Sequence, residues 1–450
     1  MITRWLHRNY RFSSSLKFWF RRKFTPAGLI VLVATLISAG IGVDTSQALA
    51  YQFSTLLWML LLFSVCWSIA RAPRFNARRL LPRSGTAGQP LHYKIVVTNP
   101  GRRRQSSVSL MEDLGDPRPT YAEFSGNPEP GEFKRNFFDR FFRFYRWMWL
   151  ISQKQIATAA PELLPDIDPH QSVELSAQLL PMRRGRLDLN GFLFTVPDPF
   201  GLCRSHSRLA APEKVLILPK RYRIPKLELG GSSIYQPGGL SLSHSLGQSE
   251  EFISVREYRR GDPLRHIHWK NTSKTGKLIV KEFQSEFFAR HALVLDTFLT
   301  DANQGPVFEE AVSVAASFAS SIDTQESMLD LVFAGPNASA PALGQGEGHL
   351  RHSLELLATV QPATSQVFEE LEQKVMRQIE SVSGCICVFV HWDQKRKDLV
   401  EHLSTLGIPI LSLLISSSDA APANFQPPAR AGVTFRLLQT GKIEEGLAQL

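Results

Sequence analysis

The residues best placed to do chemistry lie together in SEEFISVREYRRGDPLRHIHWKNTSKTGKLIVKEFQSE, Ser249 to Glu286. Eight Lys/Arg and six acids fall within this one stretch, a mixture that favours internal ion pairs in which Arg256 or Arg265 holds Asp262, Glu257 or Glu286. Asp262, Lys281 and Glu282 have the residue types of a carboxylate–lysine metal site, so a metal-dependent hydrolase or nuclease is the enzyme reading. The spacing opposes it. Lys281 and Glu282 are adjacent on a strand and point to opposite faces, while Glu282 and Glu286 sharing a face is a common arrangement. His266 and His268 read as hydrogen-bonded structural residues. Cys385 and Cys387, two apart in CICVFVHW, share a strand face. They are half of a structural zinc site with no second pair, which favours core packing. No G-x-x-x-x-G-K-[ST], G-x-S-x-G, H-E-x-x-H or kinase set occurs, so no complete catalytic constellation is found and a non-enzymatic role is expected.

The elements that must carry these residues follow from local pattern. EFISVREY reads as a strand, and Gly261 permits a turn. Asp262-Pro263 has the form of a helix N-cap with proline at the first helical position. Leu264–Trp269 is one short helical turn, and KLIVKEF, with Leu278 and Val280 on one face, is the next strand. Burial is the competing expectation for Trp269 and Tyr258. Further on, HALVLD, MLDLVFAG, CICVFVHW and IPILSLLI alternate with helix-like stretches Val307–Ile322, Leu350–Thr359, Gln366–Ile379 and Lys395–Leu406. That alternation predicts a parallel sheet with crossover helices. Asp296 then stands outside the carboxyl end of a strand, where open α/β sheets bind ligands. Upstream, LHYKIVVTNPG, SVELSAQLLPM, RLDLNGFLFTV and KVLILP predict a small antiparallel β-sandwich.

The net charge of +10 is concentrated at one end. Residues 1–84 hold 12 Lys/Arg and a single acid, Asp44, which leaves the rest of the chain at −1. A broadly basic nucleic-acid surface is therefore not supported, and no nucleic-acid partner is expected. The runs Ala27–Val43 and Leu49–Ala70 are both free of charge. Each is read as a membrane span, the first only just long enough. Basic residues flank the pair on both outer sides, so both ends are expected inside, with the soluble body cytoplasmic and inner-membrane lipid as a partner. Phe133–Leu150 carries nine aromatics and five Lys/Arg against one Asp, with Phe133, Phe137, Phe141, Tyr145 and Trp149 at a near-helical period. Two readings stay open on equal terms, an interfacial helix facing anionic headgroups or a hydrophobic helix or long hairpin docked on the sandwich; single-stranded nucleic-acid stacking, which could use the same composition, is a lesser third.

The Ser249–Glu286 stretch resembles the bacterial and archaeal family known as domain of unknown function 58. The family pattern falls on Arg256, Tyr258, Gly261, Asp262, Arg265, Ile267, Trp269, Ser273, Lys274, Leu278, Val280 and Lys281. DPFGLCR (Asp198–Arg204) followed by VLILP, and the paired apolar runs, look like the same family; the aromatic insertion does not. The resemblance implies a von Willebrand factor A-like C-terminal domain. Such domains bind Mg²⁺ through D-x-S-x-S at the end of the first strand, a shell that a partner's carboxylate completes. The corresponding run here is Asp296-Thr297-Phe298-Leu299-Thr300. Phenylalanine replaces the first serine, so Asp296 and Thr300 remain as a degenerate Mg²⁺ site.

The expected fold is α+β and multidomain. Residues 1–74 form a basic N-terminus plus a two-helix transmembrane hairpin, and 75–229 an antiparallel β-sandwich-like domain with an insertion near 117–160. A Gly/Ser loop (230–248), the signature motif (249–290) and an α/β von Willebrand factor A-like domain (291–450) follow. The leading functional expectation is a membrane-anchored interaction scaffold or adaptor. The resemblance implies, as partners, a MoxR-type AAA+ ATPase, other A-domain proteins and transglutaminase-like proteins, in assembly or remodelling at the envelope. The signature is expected to be an ion-paired lip that offers Arg265, Lys270 and Lys274 to an acidic partner.

Overall fold

The computed structural model describes residues 2–41, 48–126, 128–129, 131–225, 251–262, 264–284, 290–299, 304–323, 328–333, 339–340, 347–363, 368–379, 382–417 and 432–450. The chain divides into two compact units, Met1–Lys220 and Arg221–Leu450.

The first unit opens with three helices: α1 (Ile2–Lys23), α2 (Pro26–Ile41) and α3 (Ala48–Ala70). The basic N-terminus, expected only to flank a span, is thus a 22-residue helix of its own. Among the described residues, one helix is long and apolar enough to cross a membrane: Tyr51–Ala70, 20 residues with a mean hydropathy of 1.9. The sequence predicts two spans. α2 packs against α3, but its 16 residues rise about 24 Å, short of a hydrocarbon core of about 30 Å. The expected turn between them lies outside the described residues.

Two sheets follow. β1 (Asn76–Leu80), β3 (Leu91–Thr98), β7 (Ser172–Pro181) and β5 (Ala157–Ala159) form one, in that order. β2 (Ser84–Thr86), β9 (Arg204–Leu218), β8 (Gly185–Pro197), β4 (Ser109–Asp113) and β6 (Glu162–Leu163) form the other. Strict alternation along β3 sends Leu91, Tyr93, Ile95 and Val97 inward to meet Leu187, Leu189, Phe192 and Phe194 of β8 in a common core. A buried ion pair bolts the two sheets together. Arg79 of β1 donates to the Glu112 carboxylate of β4 (2.8 Å at the shortest) and to the Ala211 and Gly191 carbonyls at 2.6 and 2.9 Å. Tyr93 donates its hydroxyl to the same carboxylate at 2.7 Å. Gly191 is required at the β8 bulge, because a Cβ there would sit 2.0 Å from the Leu209 carbonyl oxygen.

The DPFGLCR turn ties this body to the helices. One Asp198 oxygen accepts from the Leu202 and Cys203 amides at 2.7 and 2.9 Å, and the other takes the Ser64 hydroxyl of α3 at 2.5 Å. Lys23 reaches Ser68 of α3 at 2.6 Å, and the Thr25 amide bonds the Leu202 carbonyl at 3.0 Å.

The insertion between β4 and β5 carries α4 (Tyr121–Gly126), α5 (Phe137–Phe142) and α6 (Phe144–Lys154). The four-residue aromatic period does not make one helix. Arg143 adopts a left-handed conformation (φ 53°) and breaks the run. Trp147, Leu150 and Phe124 pack on Leu6 of α1, Arg146 is buried against Glu132 at 2.7 Å, and Arg183 of the β7–β8 turn donates to the Gln153 carbonyl of α6 at 3.1 Å.

In the second unit, β10 (Glu251–Glu257) and β11 (Ile279–Gln284) pair as an antiparallel ribbon, with α7 (Trp269–Thr275) between them. A six-stranded sheet follows, built from β12 (Arg290–Leu295), β13 (Met328–Phe333), β14 (Ser339–Ala340), β15 (Gly384–Phe389), β16 (Ile410–Ser416) and β17 (Val433–Gln439). Its order is β14-β13-β12-β15-β16-β17, parallel except at β14. The helices are α8 (Gly305–Asp323), α9 (Glu347–Thr359), α10 (Phe368–Gln378), α11 (Gln394–Thr405) and α12 (Ile443–Leu447). β15 is buried on both faces, as a covered parallel strand must be, and Cys385 and Cys387 belong to its core.

Glu112→Ala should destabilise the full chain by about 3–5 kcal/mol, because it strands the Arg79 guanidinium inside the sandwich. Thermal denaturation in detergent checks this, and the paired replacement Arg79→Met/Glu112→Leu should cost much less than the single change.

Candidate functional site

The signature residues converge on the β10–β11 ribbon and the turn it encloses. Arg256, on β10, grips Asp262 with two parallel bonds of 2.7 and 2.9 Å. The Arg259 amide adds a third at 2.8 Å. Gly261 makes the intervening turn possible, since its φ of +111° is one that a side chain resists. Asp262 was expected to cap a helix; it locks the turn instead, and Pro263 lies outside the described residues. The cap of α7 is His268, whose Nδ1 accepts from the Asn271 amide at 3.1 Å. α7 is pinned back on β11 by the Thr272 hydroxyl, which accepts from the Ile279 amide at 3.1 Å. Ile267 and Val280 bridge and are buried. His266 accepts from Arg265 at 3.2 Å. Both histidines thus serve local structure.

Asp262 feels the Arg256 guanidinium first and the Arg259 amide second, and its carboxyl is drawn down to about 2. Glu257 is likewise lowered by its bond to Lys277, at 2.7 Å. These two acids are therefore ionised and consumed within the ribbon. Among the described residues no acid pairs with Arg260, Lys270 or Lys274, all exposed. Tyr258 and Lys281 are half-buried. Trp269 is not buried as expected: it is 66% exposed, and Leu264, at 67%, joins it on the surface. A tryptophan at the first position of α7 has only the preceding turn to cover it, and Ile267, not Trp269, fills the seat against Val280. This stretch thus exposes two large apolar side chains as well as Arg260, Lys270 and Lys274. Asp262, one member of the carboxylate–lysine set, is already clamped by Arg256. Among the described residues no group of three or more His, Cys, Asp or Glu could hold a metal.

The second candidate, Asp296, is fully buried at the carboxyl end of β12. Thr300, its expected companion, lies outside the described residues. Arg396, from α11, pairs with Asp296. It donates to both Asp296 oxygens at 3.1 and 3.2 Å and to Asp393 at 2.6 Å, and its guanidinium rests 4.3 Å from the Phe368 ring centre. Asp393 also caps α11 by accepting from the Arg396 amide at 3.0 Å. The expected Mg²⁺ ligand is therefore neutralised by a built-in side chain. Sequence reasoning misses Arg396; the spacing Asp393-x-x-Arg396 at a strand-to-helix junction is its only local signal.

Comparison with known proteins bears on the same stretch. Residues 254–412 match the family model described as Protein of unknown function DUF58. The match begins on the ribbon and runs through β15 into β16, so it covers the signature and much of the sheet. "Uncharacterized protein YeaD" of Bacillus subtilis (strain 168) is 23% identical over 286 residues, covering 61% of this chain and 68% of that protein. Among solved structures, a Salmonella alpha-2-macroglobulin aligns over 34% of this chain and 8% of its own, at 10% identity and a TM-score of 0.17. A putative beta-galactosidase from Bacteroides fragilis aligns over 79% of this chain and 40% of its own, at 8% identity and a TM-score of 0.14. Those two scores carry no argument. The DUF58 match and the YeaD relative support the assignment that the signature suggested.

Two outcomes are expected. The folded-state value of Asp262 lies below the ordinary 3.8, so the turn lock is fully present above pH 3.8 and fails as pH falls through about 2. Carboxyl NMR should find Asp262 titrating near 2, and Arg256→Gln should return it toward the ordinary value. Arg396→Ala should cost about 3–5 kcal/mol by leaving Asp296 buried and unpaired, against about 1 kcal/mol for a helix-cap loss alone. Chemical denaturation measures it, and Mg²⁺ should leave the wild-type midpoint unchanged.

Proposed function

We propose that this chain is a membrane-anchored adaptor that presents the DUF58 ribbon to an acidic partner protein. The observation that carries the reading is the exposure of Trp269 and Leu264 on a stretch that also exposes Arg260, Arg265, Lys270 and Lys274, while Asp262 and Glu257 are paired with Arg256 and Lys277. An aromatic anchor with cations beside it suits a partner that offers a hydrophobic pocket bordered by carboxylates. The rigid Arg256–Asp262 lock and the folded-back α7 hold that surface in one shape, which reduces the ordering cost of docking.

In this reading α3 is the anchor, with α2 alongside it as the second arm of a hairpin. Arg71, Arg74 and Arg78 after α3 keep the soluble units on the cytoplasmic face of the inner membrane. The sheet of the second unit is taken as von Willebrand factor A-like, with Arg396 in place of the metal. The partners that the family resemblance implies are a MoxR-type AAA+ ATPase first, then A-domain and transglutaminase-like proteins. An acidic surface on such an ATPase would let nucleotide-driven remodelling act on envelope-associated clients held by this chain.

Crosslinking and purification of the full chain from native membranes tests the reading. The wild-type chain should bring down an AAA+ ATPase, and Trp269→Ala/Arg265→Ala/Lys274→Ala should lose it while thermal stability stays near wild type, because all three side chains are exposed. Undiminished recovery with the folded triple variant would sink the docking surface.

A further inference from the structure

The first unit leaves a second exposed surface that the adaptor reading does not use. At about 100° per residue, Ile2, Trp5, Phe12, Leu16 and Trp19 fall on one stripe of α1, and all five are exposed. The face that packs is a different one, where Leu6 and Tyr10 meet Phe124 and Trp147. Arg4, Arg8 and Arg11 border the bare stripe, and residues 2–23 contain seven Lys/Arg and no acid. Across the contact, Phe133, Phe137, Phe138, Phe141 and Met148 are also exposed, the first two by 77% and 74%. Arg135 lies over the Tyr145 ring at 3.9 Å and Arg140 over Phe133 at 5.9 Å, so cations ride beside the aromatic faces. The two parts are tied: Tyr10 donates to the Phe142 carbonyl at 2.9 Å and Arg143 to the Thr3 hydroxyl at 3.3 Å.

We propose that α1 and the α5–α6 aromatic segment form one interfacial platform seated in the headgroup layer of an anionic bilayer leaflet. The proposal rests on the membrane-anchored reading and extends it by naming the lipid class and the residues that meet it. Continuity commits the occupant. α1 ends at Lys23 and α2 begins at Pro26, so the bare stripe runs directly into the apolar helices. Charge selects the lipid, because both segments are basic and aromatic. Rings bury at the acyl boundary while guanidinium groups reach phosphate, the arrangement that holds amphipathic helices in an interface. An apolar area of this extent facing water would otherwise be an aggregation liability.

The test uses the full chain in nanodiscs. Cys66→Ser removes the one exposed cysteine among four, the others being buried. Single spin labels are then placed at Phe12→Cys, Phe138→Cys and, as a separate report on the span, Leu56→Cys. Collisions with oxygen and with a water-soluble nickel chelate are compared. In discs containing phosphatidylglycerol, labels at 12 and 138 should be oxygen-accessible and shielded from nickel. Shielding at 138 should be lost in pure phosphatidylcholine and in Arg135→Glu/Arg140→Glu. Nickel access at 12 and 138 in the anionic discs, with position 56 still shielded, overturns the platform and leaves the span intact. Nickel access at 56 overturns the anchor and the platform with it. Equal depth in both lipids removes the charge selection and overturns the proposal as stated. So does shielding that appears only when a protein extract is added, which would make the occupant a protein.

Discussion

A guanidinium cannot stay inside a protein without carboxylate and carbonyl partners, and that constraint organises this chain. Arg79 crosses from one sheet of the sandwich to Glu112 on the other; Arg146 holds the insertion together through Glu132; Arg396 joins the end of β12 to the start of α11 through Asp296 and Asp393. The Arg79–Glu112, Arg146–Glu132 and Arg396–Asp296 pairs are buried, so their attraction is little screened and their desolvation is large. Such pairs add little net stability over an apolar substitute. What they fix is register: a one-residue slip of β1 against β3 would turn Arg79 away from Glu112 and leave both charges stranded. The Arg256–Asp262 clamp applies the same chemistry at the surface, where it fixes a turn and not a core.

That same demand explains why Asp296, at the carboxyl end of β12, is paired with Arg396. A carboxylate at 0% exposure needs a positive partner, and either a metal or a side chain can supply it. Here Arg396 supplies it from within the chain, held by the cap on α11 and by the Phe368 ring.

Much of the fold is legible because apolar spacing reports burial directly. The alternation in LHYKIVVT and the unbroken run in GCICVF each have one stable reading, a half-covered strand and a doubly covered one. The ribbon is legible for the same reason, and Arg256 stands correctly among the candidates for Asp262 because the two are close in the chain. The rest turns on contacts that spacing does not encode. Arg396 meets Asp296 from 100 residues along the sequence, past three helices and three strands. Trp269 has the type of a core residue, but its neighbour Ile267 takes the seat against Val280. The aromatic period through Phe133–Leu150 looks continuous, yet Arg143 adopts a left-handed backbone and splits it. α1 reads as a charged flank when its bases are counted, and as an amphipathic helix only when its 3.6-residue apolar stripe is followed.

Composition hides where charge acts. Residues 85–450 sum to −1, which by itself describes a neutral body. The ribbon nevertheless turns a basic face outward, because Asp262 and Glu257 are neutralised internally and Arg260, Lys270 and Lys274 are not. The insertion does likewise: Glu132 is spent on buried Arg146 and Glu129 on Arg135, while Arg140 stays among exposed rings. In both places several acids are paired with the folded chain's own bases, and exposed cations and exposed aromatic side chains occupy the same stretch of chain. A surface of that kind discriminates by shape and by sign together, so an apolar partner without negative charge and an acidic partner without an apolar seat would each satisfy only half of it.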